Sequence, residues 1–433
     1  MKPTPASLTI EIHSLQQWRT VGTVRLLESE GLGLNARSEF CYDLDYASAH
    51  IEAADRHAVS CLVPVSFEPR VFPGWPPFLL DLFPQGAALQ YVVNHYRIPD
   101  RPENYWRILA TARLNPPGNL RVVATSHPEL AASSGHPGFS RAEVISKGAD
   151  FLEYMVQCGA PVAGATGAGG AAPKFLLRED QKGRFHADGT LDDAATKNCW
   201  LVKFPRGAKT IDEVILRAEA AYLKLAKTVG LQTHGAPVWE QHCLFIDRFD
   251  RRVGSSGRID YLGLESFYSL AGKAEFGSRF EHETYLTALA AYSSDPAMDC
   301  CEYVLRDFFN VMVGNTDNHG RNSSVLKGDN WVRLAPLYDV APMVFDPEGI
   351  VRNTRWGATT GDGDPAKIEI FLRGLGVKGE AAFRVRLRQF YAATSTLDEL
   401  LITAQVPPAF IDGTKTDRAR QHAAIGHYLE TLG

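Results

Sequence analysis

The stretch FFNVMVGNTDNHGRNSSVLKGDNWVRLAPLYDVAP holds the densest chemistry in the 433-residue chain. Asp317 and Asn322 stand in a D-x-x-x-x-N spacing, that of a phosphoryl-transfer loop. There an aspartate orients and deprotonates a hydroxyl, while the asparagine oxygen and a second aspartate hold Mg2+. Asp339 offers that second carboxylate. Mg2+ needs only one or two carboxylates, because nucleotide phosphates complete its shell. Taken alone, the loop also reads as a hydrophilic connector rich in Asn, Asp, His and Gly. A transition-metal site on Asp317 and His319 is disfavoured, since no second histidine is spaced to complete a facial triad. A Ser-His-Asp hydrolase is disfavoured too, because no GxSxG elbow occurs.

Three further features precede this loop. In GAPVAGATGAGGAAPKFLL, Gly167, Gly169, Gly170, Ala171 and Ala172 lead into a β-like run that starts at Lys174. Small residues let main-chain N–H groups close on anionic oxygens, so such a loop can cradle phosphates; it can also be a merely flexible connection. No GK[ST] closes it as a Walker A motif. The GxGxxA fit of Gly167, Gly169 and Ala172 is followed by Pro173 and strand-like residues where a dinucleotide site opens a helix.

Lys203 ends the apolar run CWLVKFP, with Val202 and Phe204 on the opposite face. A lysine is seldom buried without a counter-charge. Phosphate oxygens or Glu219 would serve, and the plainer alternative is a strand-end lysine that snorkels to water. Glu219 falls between Ile215 and Tyr222 on the apolar face of a helix expected over 211–229, either inward or at the edge of that stripe. Glycine loop, strand lysine, helix glutamate, then D-x4-N with a later aspartate: the four agree in order, and together favour phosphoryl transfer.

These side chains need elements to hold them. Residues 1–125 read as a β-rich domain, with LTIEIH, TVGTVRLL, SEFCYDLDY and AVSCLVPVSF as strands and a helix after the proline of PFLLDLFPQGAALQYVVNHY. Residues 126–141, rich in Ser, Gly, Pro and His, read as a linker. Residues 142–250 alternate β-like runs with the 211–229 helix, for which Thr210 and Glu213 form a capping-box pattern and Gly230 marks the end. From about 262 onward the pattern turns mostly helical; one helix ends near Val313 at Gly314-Asn315. SSVL and WVRLAPLY read as a hairpin turning at 327–330, whose second strand delivers Asp339.

The formal charge is 45 − 50 = −5, which excludes a chain whose main task is neutralising a phosphate backbone by itself. With 45% apolar and 22% charged residues the composition is globular. Seven cysteines without a CxxC pair indicate neither a disulfide framework nor a cysteine-rich zinc site, and suit a reducing cytoplasm. The N-terminus lacks an apolar signal core and no stretch reaches the ~18 apolar residues of a spanning helix, so the expectation is a cytoplasmic protein without membrane contact.

The chain resembles the HipA-like serine/threonine kinases of bacterial toxin–antitoxin systems. The resemblance rests on Gly170-Ala171-Ala172-Pro173-Lys174, Leu201-Val202-Lys203-Phe204-Pro205, Ala218-Glu219, Asp247-Arg248-Phe249-Asp250-Arg251, Gly314 through Asn322, and Leu334 through Val340. VGTV, FCYDLDY and DLFPQG in the first domain also resemble that family's N-terminal region. It implies an α+β, bilobal protein-kinase-like fold: an N-terminal β-rich domain, an N-lobe over 142–250 and a mostly helical C-lobe over 251–433. It further implies Asp317 as catalytic base, Asn322 and Asp339 on Mg2+, Lys203 on ATP phosphate, Asp247 to Phe249 as adenine hinge, and His319 and Tyr338 near the nucleotide. Implied partners are a helix-turn-helix antitoxin, through which DNA is bound indirectly, and a protein substrate such as an aminoacyl-tRNA synthetase. An alternative is a catalytically weak module that binds the antitoxin and assists repression. Two departures stand out: Ala172 replaces a usual glutamine, and Gly167 stands where family members autophosphorylate a serine, leaving Thr166 as the nearest hydroxyl.

Overall fold

Apolar and polar residues alternate along Ser7–Ser14, and Leu8, Ile10 and Ile12 are fully buried on one face of the strand they form. In the computed structural model this strand, β1, pairs antiparallel with β2 (Gln17–Leu26) and with a strand at Leu120–Val122. The sheet continues from β2 to β3 (Ser38–Tyr42) and β4 (Arg70–Phe72). Its core gathers Phe40, Phe78, Trp75 and Trp106, with Leu89, Val92 and Val93 from the helix Gly86–Tyr96. The structure describes residues 5–112, 115–123, 136–158, 172–254, 257–275, 277, 279–361 and 363–432.

By internal packing the chain divides into two units. The first comprises Met1–Phe204, Phe245–Phe276 and Leu326–Trp331; the second comprises Pro205–Leu244, Gly277–Val325 and Val332–Gly433. In the first, a second sheet places the strand Lys174–Asp180 between Phe185–Ala187 and Thr196–Lys203, antiparallel to both. The linker expected over 126–141 falls largely outside the described residues, but its end is structured: Ser140 caps the helix Arg141–Ser146 in a complete capping box with Glu143.

The second unit is built on helices. Pro296–Val313 is its hub, packed by His282–Tyr292, Glu380–Thr394 and Pro408–Glu430, with Val304, Leu305, Phe308, Phe309 and Met312 buried. Among the described residues no helix is long and apolar enough to cross a membrane.

Three local expectations are corrected. AVSCLVPVSF forms no strand, only an isolated Ser60–Val63 bridge, because its polar groups are taken by side chains: Glu265 binds Ser60 Oγ and Cys61 N, and Tyr42 Oη accepts from Val59 N. Thr210 is no N-cap. It lies inside the helix Thr210–Thr228, behind Lys209, which makes no side-chain cap bond. The hairpin's second strand is Trp331–Leu334, so Asp339 arrives on an irregular segment beyond it.

Candidate functional site

The Pro296–Val313 helix stops at Gly314, whose left-handed φ of 72° any other L-residue adopts at a cost. A Cβ there would lie 2.7 Å from Thr414 Cγ2 and 2.8 Å from Val344 Cγ1. The chain then turns back through Asn315, which donates to Asn310 Oδ1 at 2.9 Å and accepts from Asp317 N at 3.2 Å. Asn322 Nδ2 donates to Asp317 O at 2.7 Å and Asn322 N to His319 O at 2.9 Å, so the two motif residues are tied together through the backbone. His319, buried, holds Nε2 at 3.4 Å from Asp317 Oδ1 and accepts from Arg321 N on Nδ1.

Tyr338 Oη donates to Arg321 O at 2.7 Å, so at its 2.6 Å contact with Ser324 the serine hydroxyl is the donor. Asp339 follows at φ 58°, in the left-handed region that a short polar side chain tolerates and that recurs at functional sites. Asp317, Asn322, Tyr338 and Asp339 line one pocket in the second unit. The D-x4-N loop and the later aspartate, distant in sequence, are thus brought together.

The donor set of this pocket fits Mg2+. Asn322 spends its amide nitrogen on Asp317 O, while its Oδ1 is buried and has no hydrogen-bond partner among the described residues. Such an oxygen costs about 1–3 kcal/mol unless something satisfies it. With the carboxylates of Asp317 and Asp339 it offers the hard oxygens that Mg2+ prefers, and too few of them to enclose the ion without phosphate.

The same pocket contains side chains the sequence reading missed. His282, Tyr303 and Asp307 line it from the helices behind the loop. His282 Nδ1 meets Tyr303 Oη at 2.8 Å, and its Nε2 lies 3.3 Å from Asp307 Oδ2. Burial pushes the His282 pKa down to about 4 and the Tyr303 phenol well above its ordinary value. Asp307 is held below the usual carboxylate range; burial opposes this, and Arg352 and His282 outweigh it. No motif spacing marks these residues.

The remaining predicted residues that are described belong to the first unit, with the exception of the helix glutamate. Gly167, Gly169, Gly170 and Ala171, and with them Thr166, lie outside the described residues. Lys174 and Lys203 are both buried and stand directly opposite each other across the strand pair. Two cations facing each other on one side of a sheet repel. Asp247 accepts from Asn198 Nδ2 at 2.7 Å. The Arg248 guanidinium is committed to Asp188 and Asp250, and its N–H donates to Cys199 O, so its carbonyl is what it can offer a ligand. Glu219, in the second unit, is 3% exposed: of its two readings the inward one holds.

Arg248 leads to a second missed feature. Arg178, Asp188, Arg248, Asp250 and Arg251 form a buried ion network, extended to Tyr261 by Arg178 and to the backbone of Gly118 by Asp250 and Arg251. The sequence signal was the run Asp247 to Arg251, whose charges lie in a strand-rich, otherwise apolar stretch.

The fold is of the α+β class, with an N-terminal β-rich sheet and a mostly helical second unit. The family model described as HipA-like C-terminal domain matches residues 166–393, more than half of the chain, and the chain belongs to that family. A relative in Sinorhizobium fredii, named "Putative kinase Y4mE", is 32% identical over 142 residues, 30% of this chain; the alignment spans 33% of that relative's length. HipA of Shewanella oneidensis MR-1, solved as a toxin–antitoxin complex with HipB and operator DNA, superposes with a TM-score of 0.63 at 18% identity, covering 98% of this chain and 97% of that one. The Helicobacter pylori proinflammatory kinase CtkA aligns at a TM-score of 0.32 and 12% identity, over 53% of this chain and 92% of its own, too low to bear on the fold.

Proposed function

We propose that the protein is a Mg2+- and ATP-dependent serine/threonine protein kinase of the HipA type. The observation that carries this reading is the buried Asn322 Oδ1, unpartnered among the described residues, in one pocket with Asp317 and Asp339. Asn322 and Asp339 would hold Mg2+. Lys203, Lys174 and the loop of Gly167, Gly169, Gly170, Ala171 and Ala172 would receive the phosphates; Asp247 to Phe249, His319 and Tyr338 would border the nucleotide. When bound, MgATP supplies the phosphoryl group and neutralises its charge. Asp317 takes the proton from the acceptor hydroxyl, with its own backbone fixed by Asn315 and Asn322. Transfer then depends on alignment and charge rather than on covalent chemistry by the protein.

The acceptor we propose is a translation-related protein such as an aminoacyl-tRNA synthetase, and the regulator a helix-turn-helix antitoxin. The HipB and operator DNA in the Shewanella structure support that partner. The same structure supports a second reading, a catalytically weak module that binds antitoxin and assists repression. A γ-phosphate transfer assay separates the two. Wild type is expected to label a cellular protein in a Mg2+-dependent way and Asp317→Ala to lose the label; equal behaviour of both removes the kinase reading.

A further inference from the structure

The bonds that Asp317 receives from Asn315 and Asn322 reach only its main chain. Its two sequence neighbours are held from elsewhere. Thr316 Oγ1 donates to Ile350 O at 2.6 Å. Asn318 grips Thr354 at two points, Nδ2 donating to its O at 2.8 Å and Oδ1 accepting from its N–H at 3.3 Å. The Asn318 amide thus satisfies both main-chain groups of one residue, as a neighbouring strand would. Both flanks of the candidate base are fastened to one short segment.

That segment is itself anchored. Arg352 pairs with Asp307, and Trp356 Nε1 donates to the same carboxylate at 2.9 Å. Gly357 N and Thr360 Oγ1 bind Glu283 at 2.9 and 2.6 Å. Thr354–Arg355 also pairs in parallel with Phe280–Glu281. Asp307 and Glu283 are buried charges on the hub helix and on His282–Tyr292, so the strap is anchored to the buried helical core of the unit.

We propose that Thr316 and Asn318 are positioning residues that aim the Asp317 carboxylate by clamping both of its flanks to the Ile350–Thr354 strap, an inference that rests on the kinase reading above. A base must lie within hydrogen-bond reach of the proton it accepts. Misplacement by about 1 Å costs roughly 100-fold.

The test uses the full chain with Thr316→Val, Thr316→Ser and Asn318→Ala. Thr316→Val and Asn318→Ala are expected to lower kcat about 10- to 100-fold with KM for ATP unchanged, while Thr316→Ser keeps most of kcat. Without nucleotide, hydrogen exchange in Asn318→Ala should rise at 315–322 and 350–356 and stay unchanged along the hub helix. A parallel loss of kcat and nucleotide affinity, equal losses in Thr316→Ser and Thr316→Val, or unaltered exchange at 350–356 would overturn the clamp. If wild type transfers no phosphate while exchange follows the expected pattern, the clamp stands and the kinase reading falls.

Discussion

Asn322 divides one amide between two tasks. Its nitrogen ties the backbone of Asp317, and its buried oxygen is left for a ligand. A change at this position therefore has two separable effects. Asn322→Asp keeps an oxygen in the pocket but loses the donor to Asp317 O, whereas Asn322→Ala loses both. Both variants are expected to transfer phosphate slowly. Only Asn322→Ala should also need more Mg2+, with the half-saturating concentration raised about 10- to 100-fold, the scale seen when groups supporting a metal site are removed. A Mg2+ titration of transfer checks this, and an unchanged midpoint in Asn322→Ala would remove the residue from the metal site. The D-x4-N spacing made the pair visible in the sequence. It could not disclose the division of labour, which depends on a bend that brings the Asn322 side chain back to the Asp317 carbonyl.

Helices and strands were legible where periodicity met a clear stop. The apolar stripe of Thr210–Thr228 and the Gly314 break after Val313 are of this kind, since a left-handed residue ends a helix without help from distant contacts. Residues 58–67 show the limit: Val59, Cys61, Val63 and Val65 alternate and are buried, yet side chains take main-chain groups that a strand partner would have used, Glu265 the Cys61 N–H and Tyr42 Oη the Val59 N–H and Val63 O. His282 shows another. It joins its own helix to the hub helix through Tyr303 and Asp307, with the Trp356 ring 4.5 Å away, and nothing in its neighbours announces this. Burial lowers its pKa to about 4 despite the facing Asp307, with Arg352 adding to the depression and Glu283 opposing it. Between about pH 4 and 6.5 the unfolded chain therefore binds a proton here that the folded chain refuses. The contribution is present above about pH 6.5 and is lost as pH falls through that window. The depressed carboxylate of Asp307 adds a loss of the same sign at lower pH. His282→Gln should flatten the pH dependence of unfolding between 6.5 and 4 by close to one proton; denaturant titrations at several pH values measure the slope, and an unchanged slope would show that another group carries it.

At the scale of the whole chain, the buried ion network sets how segments far apart in sequence become one unit. Asp250 accepts from Gly118 N at 2.7 Å and holds Arg248 and Arg251, while Arg251 returns a bond to Gly118 O at 2.8 Å. The strand Leu120–Val122 that completes the N-terminal sheet begins two residues after Gly118, so the sheet of the first 125 residues and the run Asp247 to Arg251 are fastened at one buried point. Every one of these carboxylates and guanidiniums has given up water, and their mutual attraction offsets that cost only while the set is complete. Burial raises the Asp250 pKa and the two arginines outweigh it, leaving the carboxyl ionised down to about pH 2. Asp250→Asn would leave two arginines deep in the unit short of a counter-charge. It is expected to destabilise the first unit by about 3–5 kcal/mol. Hydrogen exchange locates the effect: protection should fall at 118–122 and 251–261 before it falls along the hub helix of the second unit. A uniform loss across both units would mean that the network stabilises the chain as a single cooperative block rather than fastening these segments.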